Sequence, residues 1–451
     1  MGITSSKNSE IPKYPHLTLQ NFPKDDDGET ITLSDNRKMG YKEYHYQHVL
    51  QNPISFNQEL EIENSGNSKE FIILLIPGSP SSRLFCHPKV LDSISNNNNQ
   101  NNNNNNNNND DNNNQNTVTI RLYVLERPGL GMSTFAKRNF LDFTDDIKSF
   151  CEQKNIKKCS LISYSAGGPF GLAASYVLGK PPSSLNKKGK NKGNQESKGG
   201  KGSKEGDKGN KVSKKERKKE KEDGKDRKDD IEFDSIIKKS AIISSVAPRD
   251  GPNLTSEMPI KFKLAWWLAK NAHGVLTSIA KYETNQFIRD PVKVGRESNY
   301  LVSDSETYEN YPGVEEMFLV DGLEVYSRGQ VDTLCWEYSL WGKDWGFKLK
   351  DIGKYNEEGS EYDEEGGDDD DDDKNKDNKD RNNDNNHDKV ERKKGVKCKV
   401  WYGEKDCATT AAMGKYIAEQ IEGCESHFVK EKGHLLYFEI WDEVIEWLIS
   451  N

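Results

Sequence analysis

Five short, apolar, strand-like runs constrain this 451-residue chain more than any other feature: Phe71 to Ile76, Val118 to Leu125, Cys159 to Ser163, Ala241 to Val246 and Lys397 to Tyr402. Each is rich in Ile, Val, Leu or aromatic side chains, and helix-length segments separate several of them. Buried runs that alternate with helices read as strands covered on both faces. Such strands need cover above and below, which predicts an α/β architecture: a mostly parallel sheet between layers of helices. Upstream, Glu29 to Leu33 and Met39 to His45 flank the turn-type residues Ser34, Asp35, Asn36 and Arg37, the pattern of an antiparallel hairpin.

An apolar content of 32% is low for one packed unit. Three tracts explain the dilution. Residues 96–116 are almost pure Asn, with nothing to bury against the entropy of ordering, and read as a disordered insertion. Residues 187–228 carry 18 Lys and Arg against 8 Asp and Glu, a basic solvated loop, and residues 357–373 carry 12 acids and no base. Removing 96–116, 181–230 and 354–394 leaves 339 residues, enough for one large domain with a subdomain. The tracts interrupt that domain without dividing it, because strand-like runs stand on both sides of each. The expected organisation is a tail over 1–28, a first core part over 29–250, a helical cap over 251–347 and a second core part over 348–451. The cap reading rests on helical periods between Pro252 and Phe347 that hold five of the eight tryptophans, Trp266, Trp267, Trp336, Trp341 and Trp345.

No run of roughly 18 apolar residues occurs, and the first 30 residues lack the order of a secretion signal, so the expected compartment is the cytosol. Seven cysteines without close CxxC spacing suggest neither a disulfide frame nor a zinc ribbon. Metal ligands at recognisable spacing are absent, and neither a metal nor a cofactor is expected.

The sharpest local signal is Ser163-Tyr164-Ser165-Ala166-Gly167-Gly168, directly after one apolar run and before the helix-prone Phe170 to Leu178. A strand that turns at once into a helix holds a serine at a strained apex and demands small residues two places before and two after it. Ser163 and Gly167 fit around Ser165, whereas Ser163 as apex would put Leu161 in the first small position. At a helix N-terminus the Ala166 amide and the helix dipole face a developing oxyanion. Two further strand ends enter Gly-rich loops, Pro77-Gly78-Ser79-Pro80 and Glu126-Arg127-Pro128-Gly129-Leu130-Gly131-Met132-Ser133. In the second of these no basic residue follows the glycines as a phosphate loop requires, which argues against a dinucleotide site.

Taken in this order, the three strand ends resemble the α/β-hydrolase superfamily, in particular its cap-bearing, esterase-like and peptidase-like members. The resemblance covers about residues 29–450 outside the three tracts. It continues at Trp345-Gly346-Phe347, which looks like the end of the cap. Val400-Trp401-Tyr402-Gly403-Glu404-Lys405-Asp406 looks like the strand and turn carrying a triad acid, and Gly433-His434 like the loop carrying the base. It implies Ser165 as nucleophile, His434 as general base and acid, Asp406 as its partner, and the backbone amides of Ser79 and Ala166 as oxyanion donors. Most relatives have Gly where Ser163 stands and His where Pro77 stands, so the bracing of the oxyanion loop is the point of departure. The implied activity is a serine hydrolase acting on an ester, thioester or amide acyl substrate. The alternative is a non-catalytic member of the fold that binds a ligand or partner under the cap.

The cap tryptophans allow an apolar wall for an acyl group, with helix packing the favoured reading of any single one. Lys261, Lys263 and Lys270 beside Trp266 and Trp267 are too few to establish membrane contact. Met1-Gly2-Ile3-Thr4-Ser5-Ser6 matches an N-myristoylation pattern at Gly2, and the basic loop 187–228 offers a second signal for weak peripheral membrane association. No specific nucleic-acid partner is expected.

Overall fold

The apolar runs lie side by side in one sheet, seen in a computed structural model that describes residues 29–62, 69–103, 117–180, 235–299, 302–311, 313–353 and 395–451. The strands are β1 (Glu29–Thr32), β2 (Lys38–Val49), β3 (Glu61–Ile62), β4 (Glu70–Ile76), β5 (Thr117–Leu125), β6 (Cys159–Tyr164), β7 (Ile237–Ile243), β8 (Lys397–Gly403) and β9 (Glu425–Val429). Their spatial order is β1-β2-β5-β4-β6-β7-β8-β9, with β3 on the first residues of β4. β4 to β9 run parallel, and β1, β2 and β3 pair antiparallel. The hairpin of β1 and β2 forms as expected, with Asn36 at φ 64° in its turn.

Every residue of β4 and β6 is buried. Alternation sends Leu74, Ile76, Leu161, Ile242 and Val400 to one face of the sheet, and Ile73, Leu75, Ile162, Ile243 and Trp401 to the other. Helices α2 (Asp142–Gln153), α3 (Gly168–Leu178) and α10 (Ala411–Gln420) bury Phe143, Ile147, Phe170, Leu172, Met413 and Ile417 on the first face. α1 (Pro88–Asn103), α11 (Leu436–Glu439) and α12 (Trp441–Ile449) cover the second with Val90, Tyr437, Val444 and Leu448. Between β7 and β8 stand α4 (Ile260–Asn271), α5 (His273–Arg289), α6 (Pro291–Asn299), α7 (Ser305–Asn310), α8 (Gly313–Ser327) and α9 (Val331–Trp341), the helical segment read as a cap.

One expectation is corrected. Composition assigns all of 96–116 to disordered chain, yet α1 continues through residues 96–103. Pro88 at the first helical position and the buried Val90 start the helix, and once started it extends at little cost even through poor helix formers. Residues 104–116, the basic loop 187–228, the tract 354–394 and the tail with Gly2 lie outside the described residues. No described helix is long and apolar enough to cross a membrane.

Candidate active site

All five predicted site residues follow the C-terminal ends of parallel strands. Ser165 comes directly after β6 and opens a single 3₁₀ turn that runs into α3. Its φ of +53° is rare for a residue with a side chain, and it lifts the hydroxyl out of the line of the strand. Small neighbours are required by contact. A Cβ on Gly167 would meet the carbonyl oxygens of Ile76 and Pro77 at 2.4 Å, so α3 can sit this close to the end of β4 only without one. Gly171, one turn into α3, lies so near Ser163 that an added Cβ would stand 2.4 Å from the serine Cβ. This explains why position 163 tolerates serine while a larger side chain has nowhere to go.

Asp406 follows β8 after a short turn, and His434 lies between β9 and α11. The Oγ of Ser165 is 2.9 Å from Nε2 of His434, and Nδ1 of His434 is 2.8 Å from Oδ2 of Asp406. Asp406 is buried, and its Oδ1 accepts the backbone N–H groups of Ala408 and Thr409, both at 2.9 Å. The Thr409 hydroxyl lies 2.9 Å from Asp406 Oδ2, 3.2 Å from His434 Nδ1 and 2.7 Å from the Ser244 carbonyl. With one proton it donates to one acceptor at a time, so it fixes the spacing of acid and base. The Tyr164 hydroxyl donates to the His434 carbonyl at 3.1 Å and holds the loop from below.

Burial opposes charging of His434, but the Asp406 carboxylate, by charge and by hydrogen bond, and the charge of Asp304 outweigh it and hold the imidazole above its ordinary range. Asp304, just before α7, accepts the Leu435 amide at 2.9 Å. Burial pushes its carboxyl up to about 6 against that hydrogen bond. Neither Asp304 nor Thr409 carries a sequence signal, since both act from segments without a motif.

The loop after β4 comes alongside the serine: a Cβ at Gly78 would stand 3.1 Å from Cβ and 3.5 Å from Oγ of Ser165. Ser79 follows, joined to Pro80 by a cis peptide. Arg127 holds this loop. Its guanidinium donates to the carbonyls of Pro77 and Gly78, the latter at 2.9 Å, and to Ser79 Oγ at 2.6 Å. Glu337 of α9 closes the arrangement, with Oε1 2.6 Å from Arg127 Nε, Oε2 3.0 Å from Nη2, and a hydrogen bond from the Ser79 hydroxyl. Arg127 is completely buried. The sequence shows Arg127 inside its Gly-rich segment but cannot show that it points inward at an acid 210 residues away.

Further polar bonds tie the same loops to the cap. Asp321 of α8 accepts both the amide and the hydroxyl of Ser82, at 2.7 and 2.6 Å. Arg83 pairs with Glu126 and with Glu324 of α8, all three buried. Gln330 exchanges two hydrogen bonds with the backbone of Gly131, and Thr333 donates to the Gly129 carbonyl. Of the cap tryptophans, Trp266, Trp341 and Trp345 are buried in the core: the first two rings pack at 5.8 Å and Trp345 lies edge-on to Phe140 at 5.1 Å. Helix packing is therefore their role, and Trp267 is 56% exposed.

No protein-family model matches the chain, and no curated protein matches it significantly in sequence. Among solved structures it is similar to an enol-lactonase from Burkholderia xenovorans LB400, at 12% identity and TM-score 0.42 over 93% of this chain and 97% of that one. It is also similar to an esterase from Exiguobacterium antarcticum, at 11% identity and TM-score 0.44 over 93% and 97%. A third is an alpha/beta hydrolase fold protein from Nakamurella multipartita, at 9% identity and TM-score 0.42 over 94% and 98%. The assignment rests on features of this chain: a mostly parallel sheet, a serine at positive φ in a strand-to-helix elbow at its C-terminal edge, and an acid and a histidine following in that order. The chain has the α/β-hydrolase fold.

Proposed function

We propose that the protein is a serine hydrolase that cleaves an ester, thioester or amide through an acyl-enzyme. The observation that carries this is the unbroken contact from Ser165 Oγ to His434 to Asp406, at 2.9 and 2.8 Å, with the serine on a strained elbow. In this reading Ser165 attacks the acyl carbon while His434 takes its proton and returns it to the leaving group. Asp406 keeps the imidazole in the tautomer that presents a free Nε2 lone pair and stabilises the cation that forms. Charge developing on the acyl oxygen meets the amides of Ser79 and Ala166, the latter at the turn leading into α3. Water then repeats the sequence on the acyl-enzyme, with His434 as base.

The test is labelling with a fluorophosphonate, which traps an activated serine. The wild-type chain is expected to label, and Ser165→Ala and His434→Ala to lose labelling. Turnover of a p-nitrophenyl ester should fall by about 10⁴ to 10⁶ in either variant. A folded wild type that neither labels nor turns over would overturn the proposal and favour a ligand-binding member of the fold.

A further inference from the structure

Nine large hydrophobic side chains are exposed among the described residues, and six of them lie on two adjacent helices of the cap: Ile260, Leu264 and Trp267 on α4, and Val275, Ile279 and Tyr282 on α5. Within each helix the spacing is i, i+4, i+7, which places the three on one stripe. The buried sides of the two helices are accounted for. Leu268, Ala269 and Leu276 pack with Val331 and Cys335 of α9, and Phe287 packs with Leu319 and Leu323 of α8. The exposed stripes thus face away from α8 and α9, on the solvent side of the cap. Exposures run from 41% for Ile279 to 85% for Ile260, too large and too clustered for scattered surface residues.

Charge indicates what covers them. Over 260–289 the chain carries Lys261, Lys263, Lys270, Lys281 and Arg289 against one acid, Glu283, although the whole protein has a net charge of −9. All five basic residues are exposed. Lys261 lies over the Phe262 ring at 4.9 Å and Lys263 donates to the Ser256 carbonyl, which leaves their charges at the rim of the stripes. An isologous pairing of this face with a second copy would set lysines against lysines. Large aliphatic and aromatic side chains flanked by lysines that can extend to a charged boundary suit an interface of hydrocarbon and anionic headgroups.

We propose that the α4–α5 face of the cap docks on the surface of an anionic phospholipid bilayer, lying on it without crossing it. Ile260, Leu264, Trp267, Val275, Ile279 and Tyr282 enter the boundary region and the lysines meet lipid phosphates. The inference is independent of the hydrolytic chemistry and of any acyl chain on Gly2.

The test uses the full chain made in bacteria, so that Gly2 carries no lipid, and co-sedimentation with vesicles of phosphatidylcholine alone or with about one-third phosphatidylserine. Binding to the mixed vesicles and much weaker binding to the neutral ones are expected. A fourfold variant, Leu264→Ser, Trp267→Ser, Ile279→Ser and Tyr282→Ser, should bind at least tenfold more weakly with an unchanged Tm, as all four side chains are exposed. Reversing Lys270 and Lys281 to Glu should weaken binding by about fivefold or more per site at low salt. Absence of binding by the wild type would overturn the proposal. So would undiminished binding by the serine variant, which would assign the interaction to another part of the chain such as the basic stretch 187–228. A wild type that is dimeric, with a monomeric serine variant and no vesicle binding by either, would overturn it in favour of a second copy.

Discussion

Replacing Arg127 separates what holds the candidate oxyanion loop in place from what merely keeps the protein folded. The side chain is fully buried and donates to two loop carbonyls, to Ser79 Oγ and to both oxygens of Glu337. In Arg127→Met the Glu337 carboxylate is left without its cation in a buried place, a change that costs about 3–5 kcal/mol. For a folded unit of this size that corresponds to a fall in Tm of roughly 4–7 °C. The two loop carbonyls also lose their donor, so the loop is free to drift from Ser165, and in the proposed mechanism the Ser79 amide is lost as an oxyanion donor. Loss of one oxyanion donor lowers kcat by about 10² to 10³. KM should change little, because the donor acts on charge that appears in the transition state. The decisive measurement adds Glu337→Met. With both charges gone and apolar volume in their place, stability should return to near the wild-type value, since a buried pair contributes little net. Turnover and the rate of fluorophosphonate labelling should stay low, because nothing then braces the loop. If calorimetry shows Tm restored and kcat is restored with it, Arg127 serves packing alone and the reasoning fails.

Other perturbations read different parts of the site. Ser163→Leu, facing Gly171 across a gap that an added Cβ already overfills, should displace α3 and abolish labelling while circular dichroism still shows a folded sheet. Since His434 must be neutral to accept a proton and is held above the ordinary histidine range, the labelling rate should rise with pH through a midpoint above about 6.5. Asp304→Asn removes one charge that holds it there and should move that midpoint to lower pH; an unmoved midpoint would rule Asp304 out as a contributor. Burial pushes the Asp321 carboxyl up to about 7, so the folded state binds its proton more tightly than the unfolded state does. Its contribution therefore declines as pH rises from about 4 to 7. Asp321→Asn, which keeps an oxygen for Ser82, should match the wild-type free energy of unfolding near pH 4 and exceed it at pH 8, by an amount on the order of a few kcal/mol.

What the sequence made legible was what local pattern determines. β4, β6 and β7 are legible because both faces are buried, which concentrates Ile, Leu and other apolar residues in Phe71 to Ile76, Leu161 to Ile162 and Ala241 to Ile243. The elbow was visible because contact between Gly167 and the end of β4 permits no side chain there. Ser165, Asp406 and His434 are singled out by order and neighbours, and their side chains lie within hydrogen-bond distance of one another in sequence from serine to histidine to aspartate. The brace was not found, because Arg127 and Glu337 are 210 positions apart and a buried charge has the same letter as an exposed one. The helical turns at 96–103 were missed because composition speaks for a whole tract, whereas a helix end depends on what started the helix. The outer stripes of α4 and α5 were hidden too: Trp266 and Trp267 are adjacent letters, yet one is 7% exposed and the other 56%.

The order of the chain sets where the candidate site can be built. In a parallel sheet, every loop that leaves a strand is at one edge and every loop that returns to a strand is at the other. Ser79, Ser165, Asp406 and His434 all lie in segments that leave a strand, so every group of the candidate site comes from one rim. The Asn-rich, basic and acidic tracts of the sequence stand instead ahead of β5, β7 and β8 in chain order, each separated from the next site segment by a whole strand.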